Sequence, residues 1–147
     1  KESSAASDVY KRQILLCCII ASCTTRNDIV KLIYNEWISH DEQAFVFDFS
    51  KYMDFDWDVM CIYSAKCSLE FIERDLGAPY SDFVDTGERV IFLKNKRIVY
   101  SQAWYSVDYS NKQGIVFTNL IEKLKYYPNN AKFRVTKKDN AFFLSPI

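Results

Sequence analysis

Glycine and proline are scarce in this chain, at three residues each among 147, and histidine occurs once. Three glycines leave no room for a phosphate-cradling loop, whose backbone must come close to the phosphates without Cβ atoms in the way. A single histidine, His40, excludes sites built on paired imidazoles. No Cys-x-x-Cys spacing offers a zinc knuckle, and no Gly-x-Ser-x-Gly elbow is present to expose a serine nucleophile. Net charge is missing too: 19 Lys and Arg offset 19 Asp and Glu, so no global basic field invites nucleic acid. No apolar run approaches the roughly 20 residues that a membrane-crossing helix needs.

Aromatic residues are plentiful instead, with 11 Phe, 10 Tyr and 3 Trp. Large rings supply the apolar area that offsets chain entropy, so the composition argues for a packed core and against disorder. The length suits one domain. Charge is balanced in sum but not in distribution. Between Asp28 and Glu88 there are 14 acidic and 4 basic residues, and between Arg89 and Lys138 there are 11 basic and 2 acidic. Two halves of one small domain would neutralise each other across strands. The alternative is a dipolar surface with an acidic face for a partner.

The N-terminal region stands apart. Ile14 to Cys23 reads ILLCCIIASC, a short uncharged apolar run closed by Thr24, Thr25 and Arg26. It has the length of a signal-peptide h-region, and Ile20-Ala21-Ser22-Cys23 has the form of a lipobox. The expectation is that residues 14–22 are removed and that Cys23 becomes the lipid-bearing first residue of the mature protein. Residues 1–13 fall outside the fold on either of two readings. Asp8 to Gln13 (DVYKRQ) resembles a translated sequencing-adapter end, or Lys11 and Arg12 form the basic n-region of the signal. Residues 23–147 then form a single globular domain. Cys17 and Cys18 would leave with the signal, so Cys61 and Cys67 remain as a candidate disulfide that an oxidising compartment permits. The alternative is two free thiols, with Cys61 a small buried apolar residue.

Periodicity sketches the domain. Asn27 is a candidate helix cap before Ile29, Val30, Ile33, Tyr34 and Trp37, which recur at helical spacing to about Ile38. Phe45, Phe47 and Phe49 alternate as in a strand. Val59 to Tyr63 is apolar on both parities, as in a central strand covered on both faces. Ser68 caps a short helix ending at Leu76, with Gly77 in the left-handed position beyond it. Arg89–Lys94 and Arg97–Tyr100 flank the two-residue turn Asn95-Lys96, a hairpin signal. Ile115–Phe117 reads as a strand, Leu120–Tyr127 is ambiguous with a hint of helix, and Ala131–Thr136 and Ala141–Leu144 form a last hairpin. The expected class is α+β: an N-terminal helix and one short helix on a mostly antiparallel sheet of about five to seven strands.

The series Phe55-Asp56-Trp57-Asp58, Leu76-Gly77, Phe92-Leu93-Lys94-Asn95-Lys96-Arg97-Ile98-Val99 and Ala131-Lys132-Phe133 resembles a loose family of small bacterial lipoproteins and secreted proteins. Lys96 stands where the family's turn often has Gly. The resemblance spans Phe45 to the C-terminus and implies location and fold; none of its motifs is catalytic.

Three constellations are weighed for chemistry. Asp54, Asp56 and Asp58 would share one face if strand geometry held, making a candidate cation site or docking face. Against a calcium loop, the sixth and twelfth positions counted from Asp54 are Val59 and Ala65 rather than Gly and Glu. His40 beside Asp41 could act as a base, alone or with Cys67, but it lacks an orienting partner in sequence. Lys94, Lys96 and Arg97 crowd a hairpin tip, as solvated tips commonly do. No cofactor, metal or nucleic acid is expected. The membrane, through an N-terminal lipid, and an envelope protein are the expected partners. The resulting expectation is a lipid-anchored envelope protein that is a binding or accessory module. The alternatives are an inhibitor- or immunity-type protein using its acidic half, and a hydrolase or cation-binding protein centred on Asp54, Asp56, Asp58 and His40.

Overall fold

The computed structural model describes residues 28–105 and 114–147. Residues 1–13, the apolar run 14–22, the lipidation candidate Cys23 and the helix-cap candidate Asn27 lie outside the described residues. In chain order the elements are α1 (Ile29–Ser39), β1 (Phe45–Asp48), α2 (Phe49–Tyr52), β2 (Val59–Tyr63), α3 (Leu69–Leu76) and β3 (Gly87–Lys94). They continue as β4 (Arg97–Tyr105), β5 (Gly114–Phe117), β6 (Lys123–Tyr126), β7 (Lys132–Lys138) and β8 (Ala141–Pro146).

The α+β class holds, but strands dominate and they form two sheets rather than one. Sheet 1 has the order β1-β7-β8-β5 and sheet 2 the order β4-β3-β2-β6. All pairings are antiparallel except β5 with β8, which run parallel. Two sheets follow from side-chain alternation. In β7, Phe133 and Val135 are buried while Lys132, Arg134 and Thr136 are exposed, so sheet 1 has one apolar face needing a cover. Sheet 2 supplies it. The ambiguous stretch after Leu120 contains β6, not a helical turn. Leu124 and Tyr126 pack inward and Lys123 and Lys125 face out, a period of two that suits a short, lysine-protected edge strand.

Aromatic rings fill the space between the sheets. Phe49, at the corner where β1 turns into α2, meets Phe92 of sheet 2 at 6.0 Å and Phe133 of sheet 1 at 5.6 Å. Phe49 leaves strand geometry because Asp48 caps the turn, accepting from Ser50 N at 3.1 Å and Ser50 Oγ at 2.6 Å. Each fully buried ring of this kind contributes about 1.5–3 kcal/mol by burial alone. Helix α1 lays Ile29, Ile33 and Trp37 on the same core, with Trp37 against Phe142 at 5.8 Å. Its cap is Asp28, one residue later than the pattern suggests. The Asp28 carboxylate accepts from Val30 N and from Gln102 Nε2, and Gln102 Oε1 accepts from Ile29 N at 2.8 Å. Gln102 thus ties the helix start to β4.

A second, smaller core lies on the far side of sheet 2. There α3 and the loop after it cover the outer faces of β2 and β3, packing Ile72 and Tyr80 on Cys61, Tyr63, Ile91 and Leu93. Strand β2 is therefore buried on both faces, as its uniform apolarity requires. Ser68 Oγ accepts from Phe71 N at 3.2 Å, and Gly77 closes α3 with φ +66°.

Candidate functional site

Beside the end of α3, the outer face of sheet 2 carries a recess of about 260 Å³. Val59, Cys61, Leu76 and Leu93 give it an apolar lining, and Asp58, Asp75, Asn95, Lys96 and Lys125 complete the wall. Four elements build it: β2 and β3 from below, the last residues of α3 from one side, and β6 with the β3–β4 turn from the others.

The turn is fixed by Asp58. Its Oδ1 accepts from Lys94 Nζ at 2.8 Å, and its Oδ2 accepts from the Asn95 backbone N–H at 2.7 Å. Its own N–H donates to Leu93 O at 2.7 Å. Asn95 and Lys96 both have positive φ, 49° and 62°, the geometry of a type I′ hairpin. The strain of a lysine in the left-handed region is borne by a turn that Asp58 clamps from outside. The Asn95 N–H and Lys94 bonds hold the Asp58 carboxyl below its ordinary pKa. Ring packing joins the same two segments, with Trp57 at 5.1 Å from Phe92 and Phe55 stacked on Tyr100 at 5.3 Å.

On the opposite wall, Asp75 accepts from Tyr63 OH at 2.8 Å and from Lys123 Nζ. Burial alone would raise the Asp75 pKa, but the bonds from Lys123 and Tyr63 and the charges of Lys123 and Lys125 outweigh it and bring it below the ordinary value. Burial pushes the Tyr63 phenol up, helped by Cys61 and Asp75. The Cys61 thiol is also pushed up by burial, against the charge of Lys125. It stays protonated and is a poor nucleophile.

The candidate bridge is not formed: Cys61 and Cys67 are both free and buried. Cys67 Sγ donates instead to Glu122 O at 3.3 Å, in the loop that leads into β6. The three aspartates do not gather. Asp54 and Asp56 are exposed in a bend that lacks strand geometry, and Asp58 is engaged by the turn. Among the described residues, no three of His, Cys, Asp and Glu are grouped so as to hold a metal ion. His40 stacks on Phe45 at 4.8 Å with Nδ1 2.8 Å from Glu36 O. Among the described residues no hydrogen bond or ion pair links it to Asp54, Asp56, Asp58 or Cys67. Three ion pairs join the acidic half to the basic one: Asp58–Lys94, Asp75–Lys123 and Asp48–Lys132.

Two features escape pattern reading. Arg89 is fully buried at the far end of the outer core. Its Nη2 donates to Val84 O at 2.8 Å and its guanidinium lies 4.4 Å over the Phe83 ring, and burial pulls its pKa down. Its parity with Ile91 and Leu93, both outward-facing in β3, is the signal that places it there. Glu88, on the other face of β3, has a buried Oε2 with no hydrogen-bond partner among the described residues. No described helix is long and apolar enough to cross a membrane. No protein-family model, no curated protein and no solved structure matches this chain.

Proposed function

We propose that this chain is a lipid-anchored, non-enzymatic binding module of a bacterial cell envelope, held through Cys23, with the recess beside α3 as its binding surface. The observation that carries the binding surface is a convergence. Asp58 of the Phe-Asp-Trp-Asp segment, Leu76 of the Leu-Gly segment, and Leu93, Asn95 and Lys96 of the strand-turn segment all line the one recess. Three of the four segments that carry the family resemblance therefore meet where a ligand could sit.

The chemistry of the wall favours holding over transforming. Both carboxylates are engaged by cations and hydrogen-bond donors, and the thiol is kept neutral. The same contacts hold both carboxyls below their ordinary pKa, which makes each a weaker general base. The anchor rests on the sequence ILLCCIIASC. Acyl chains contribute about 0.8 kcal/mol per buried CH₂, so two or more chains hold a domain at a membrane without an amphipathic helix.

Two experiments test the two parts. Cys23→Ala should move the protein from the membrane fraction to the soluble exported fraction and abolish metabolic labelling with palmitate; unchanged fractionation sinks the anchor. A small-molecule extract of the envelope should raise the Tm of the unaltered protein and leave that of Leu76→Trp, which fills the recess, where it was. Equal shifts in both proteins, or in neither, sink the binding surface.

A further inference from the structure

The cover over the outer face of sheet 2 is unfinished. Helix α3 has eight residues, about 12 Å of length at about 1.5 Å per residue. At the end of the ribbon where Val59 pairs with Leu93, only Asp75 and Leu76 of α3 reach the lining, and Gly77 ends the helix there. Val59 and Leu76 are left half-buried. The recess is the gap in that cover. Its lining carries no net charge, since Asp58 and Asp75 are offset by Lys96 and Lys125. The charge of Lys125 already acts on Asp75. Lys94 and Lys123, which contact the two aspartates, feel Asp56 and Glu122 in turn. All four carboxylate oxygens of Asp58 and Asp75 accept hydrogen bonds. Among the described residues, the buried side-chain atoms without a hydrogen-bond partner belong to Trp37, Tyr80, Glu88 and Arg89, none of which lines the recess. The recess therefore offers apolar area with neither a spare charge nor an orphaned buried polar atom. An ionic head entering it would lose hydration and gain no unmatched counter-charge in exchange.

We propose that the recess takes a small uncharged apolar molecule, laid on Val59, Cys61, Leu76 and Leu93 so that it completes the outer core. The proposal rests on the recess being the binding surface. Size narrows the class further. At about 260 Å³ the recess falls just short of the roughly 300–1,000 Å³ that encloses a drug-sized ligand. It exceeds the roughly 150 Å³ of a cavity that holds benzene. It fits one ring with a short alkyl arm, or an alkyl chain of similar bulk, and not a long acyl chain. Burial of apolar area drives such binding and has no direction, so the site selects by bulk and by absence of charge. That predicts tolerance of shape and modest affinity.

The test compares three probes of one shape on the full chain labelled with ¹⁵N: 3-phenylpropanol, 3-phenylpropanoate and 3-phenylpropylammonium at neutral pH. Phenylpropanol should shift the amide signals of Cys61, Leu76, Leu93 and Lys96 saturably. It should bind roughly tenfold more tightly than either ion, as the uncompensated desolvation of a charged head implies. Leu76→Trp, which fills the recess, should abolish those shifts while keeping its far-ultraviolet circular dichroism. The comparison of the three probes on the unaltered chain stands whether or not that variant folds. If either ion binds as tightly as phenylpropanol, or more tightly, the recess binds ligands but the assignment to an uncharged occupant is overturned. If none of the three shifts these amides, the binding surface itself is overturned together with the assignment.

Discussion

The two cores on either face of sheet 2 differ in kind. The inner core, between the sheets, is built almost wholly of rings and aliphatic chains contributed by α1 and both sheets. The outer core under α3 is smaller and mixed: Cys61, Cys67, Tyr63 and Tyr80 pack among its aliphatics, with Arg89 buried at one end and Asp75 at the other. One β-ribbon, β2 with β3, serves both, giving alternate residues to each side. Packing alone explains the inner core. The outer one holds the thiols, the buried Arg89 and the recess.

Variants in the two cores test this division. Phe92→Ala removes a ring packed on Phe49, Phe55, Trp57 and Tyr100, and should cost about 3–5 kcal/mol by urea unfolding. Ile72→Ala, fully buried under α3, should cost about 2–3 kcal/mol and leave the inner core's aromatic signature in near-ultraviolet circular dichroism intact. Equal costs with joint loss of that signature would mean that the two cores are one cooperative unit.

Asp75→Asn comes next, at about 1–2 kcal/mol near neutral pH, because it weakens the bonds from Tyr63 and Lys123. The folded Asp75 pKa lies below its ordinary 3.8, so its contribution is present above that value and fades as pH falls through the folded one. The stability curves of the variant and the unaltered protein should therefore converge below about pH 4. Glu88→Gln has the opposite sign. Burial raises the Glu88 pKa above its ordinary 4.5, so ionisation costs stability as pH rises through the folded value. At pH 7 the variant should be more stable on the order of 1 kcal/mol, with the gain gone at pH 4. A smaller effect is expected at the turn: Lys96→Gly relieves a positive φ of 62° and should stabilise by about 0.5 kcal/mol.

Local signals were legible wherever one residue type does one job. The Ser68 cap, the Gly77 stop, the hairpin about Asn95-Lys96 and the double-sided apolarity of Val59–Tyr63 all appear as the sequence suggests. The division into two sheets was not legible, because alternation marks a buried face without saying which sheet covers it. Nor was the pairing of β5 with β8, whose parallel register spans β6 and β7. At the recess, Asp58 stood out as one of three clustered aspartates, but its partners at the turn lie 36 and 37 positions on. Proximity in sequence suggested a cation among the aspartates, whereas Asp54 and Asp56 lie exposed outside any strand and Asp58 is matched with a lysine. Lys125 had no signal beyond lying on an ambiguous segment.

The strand order of sheet 1 has a kinetic consequence. It sets β1 beside β7, pairing Phe45 with Val135 and Phe47 with Phe133, across most of the described chain. Such distant pairing is slow, since a long loop must close before any of its contacts form. Sheet 2 gathers four strands that end at Tyr126 and has more local partners, above all the β3–β4 hairpin. Sheet 2 is thus able to form while β1 waits for β7. The inner core stays open until the last hairpin arrives.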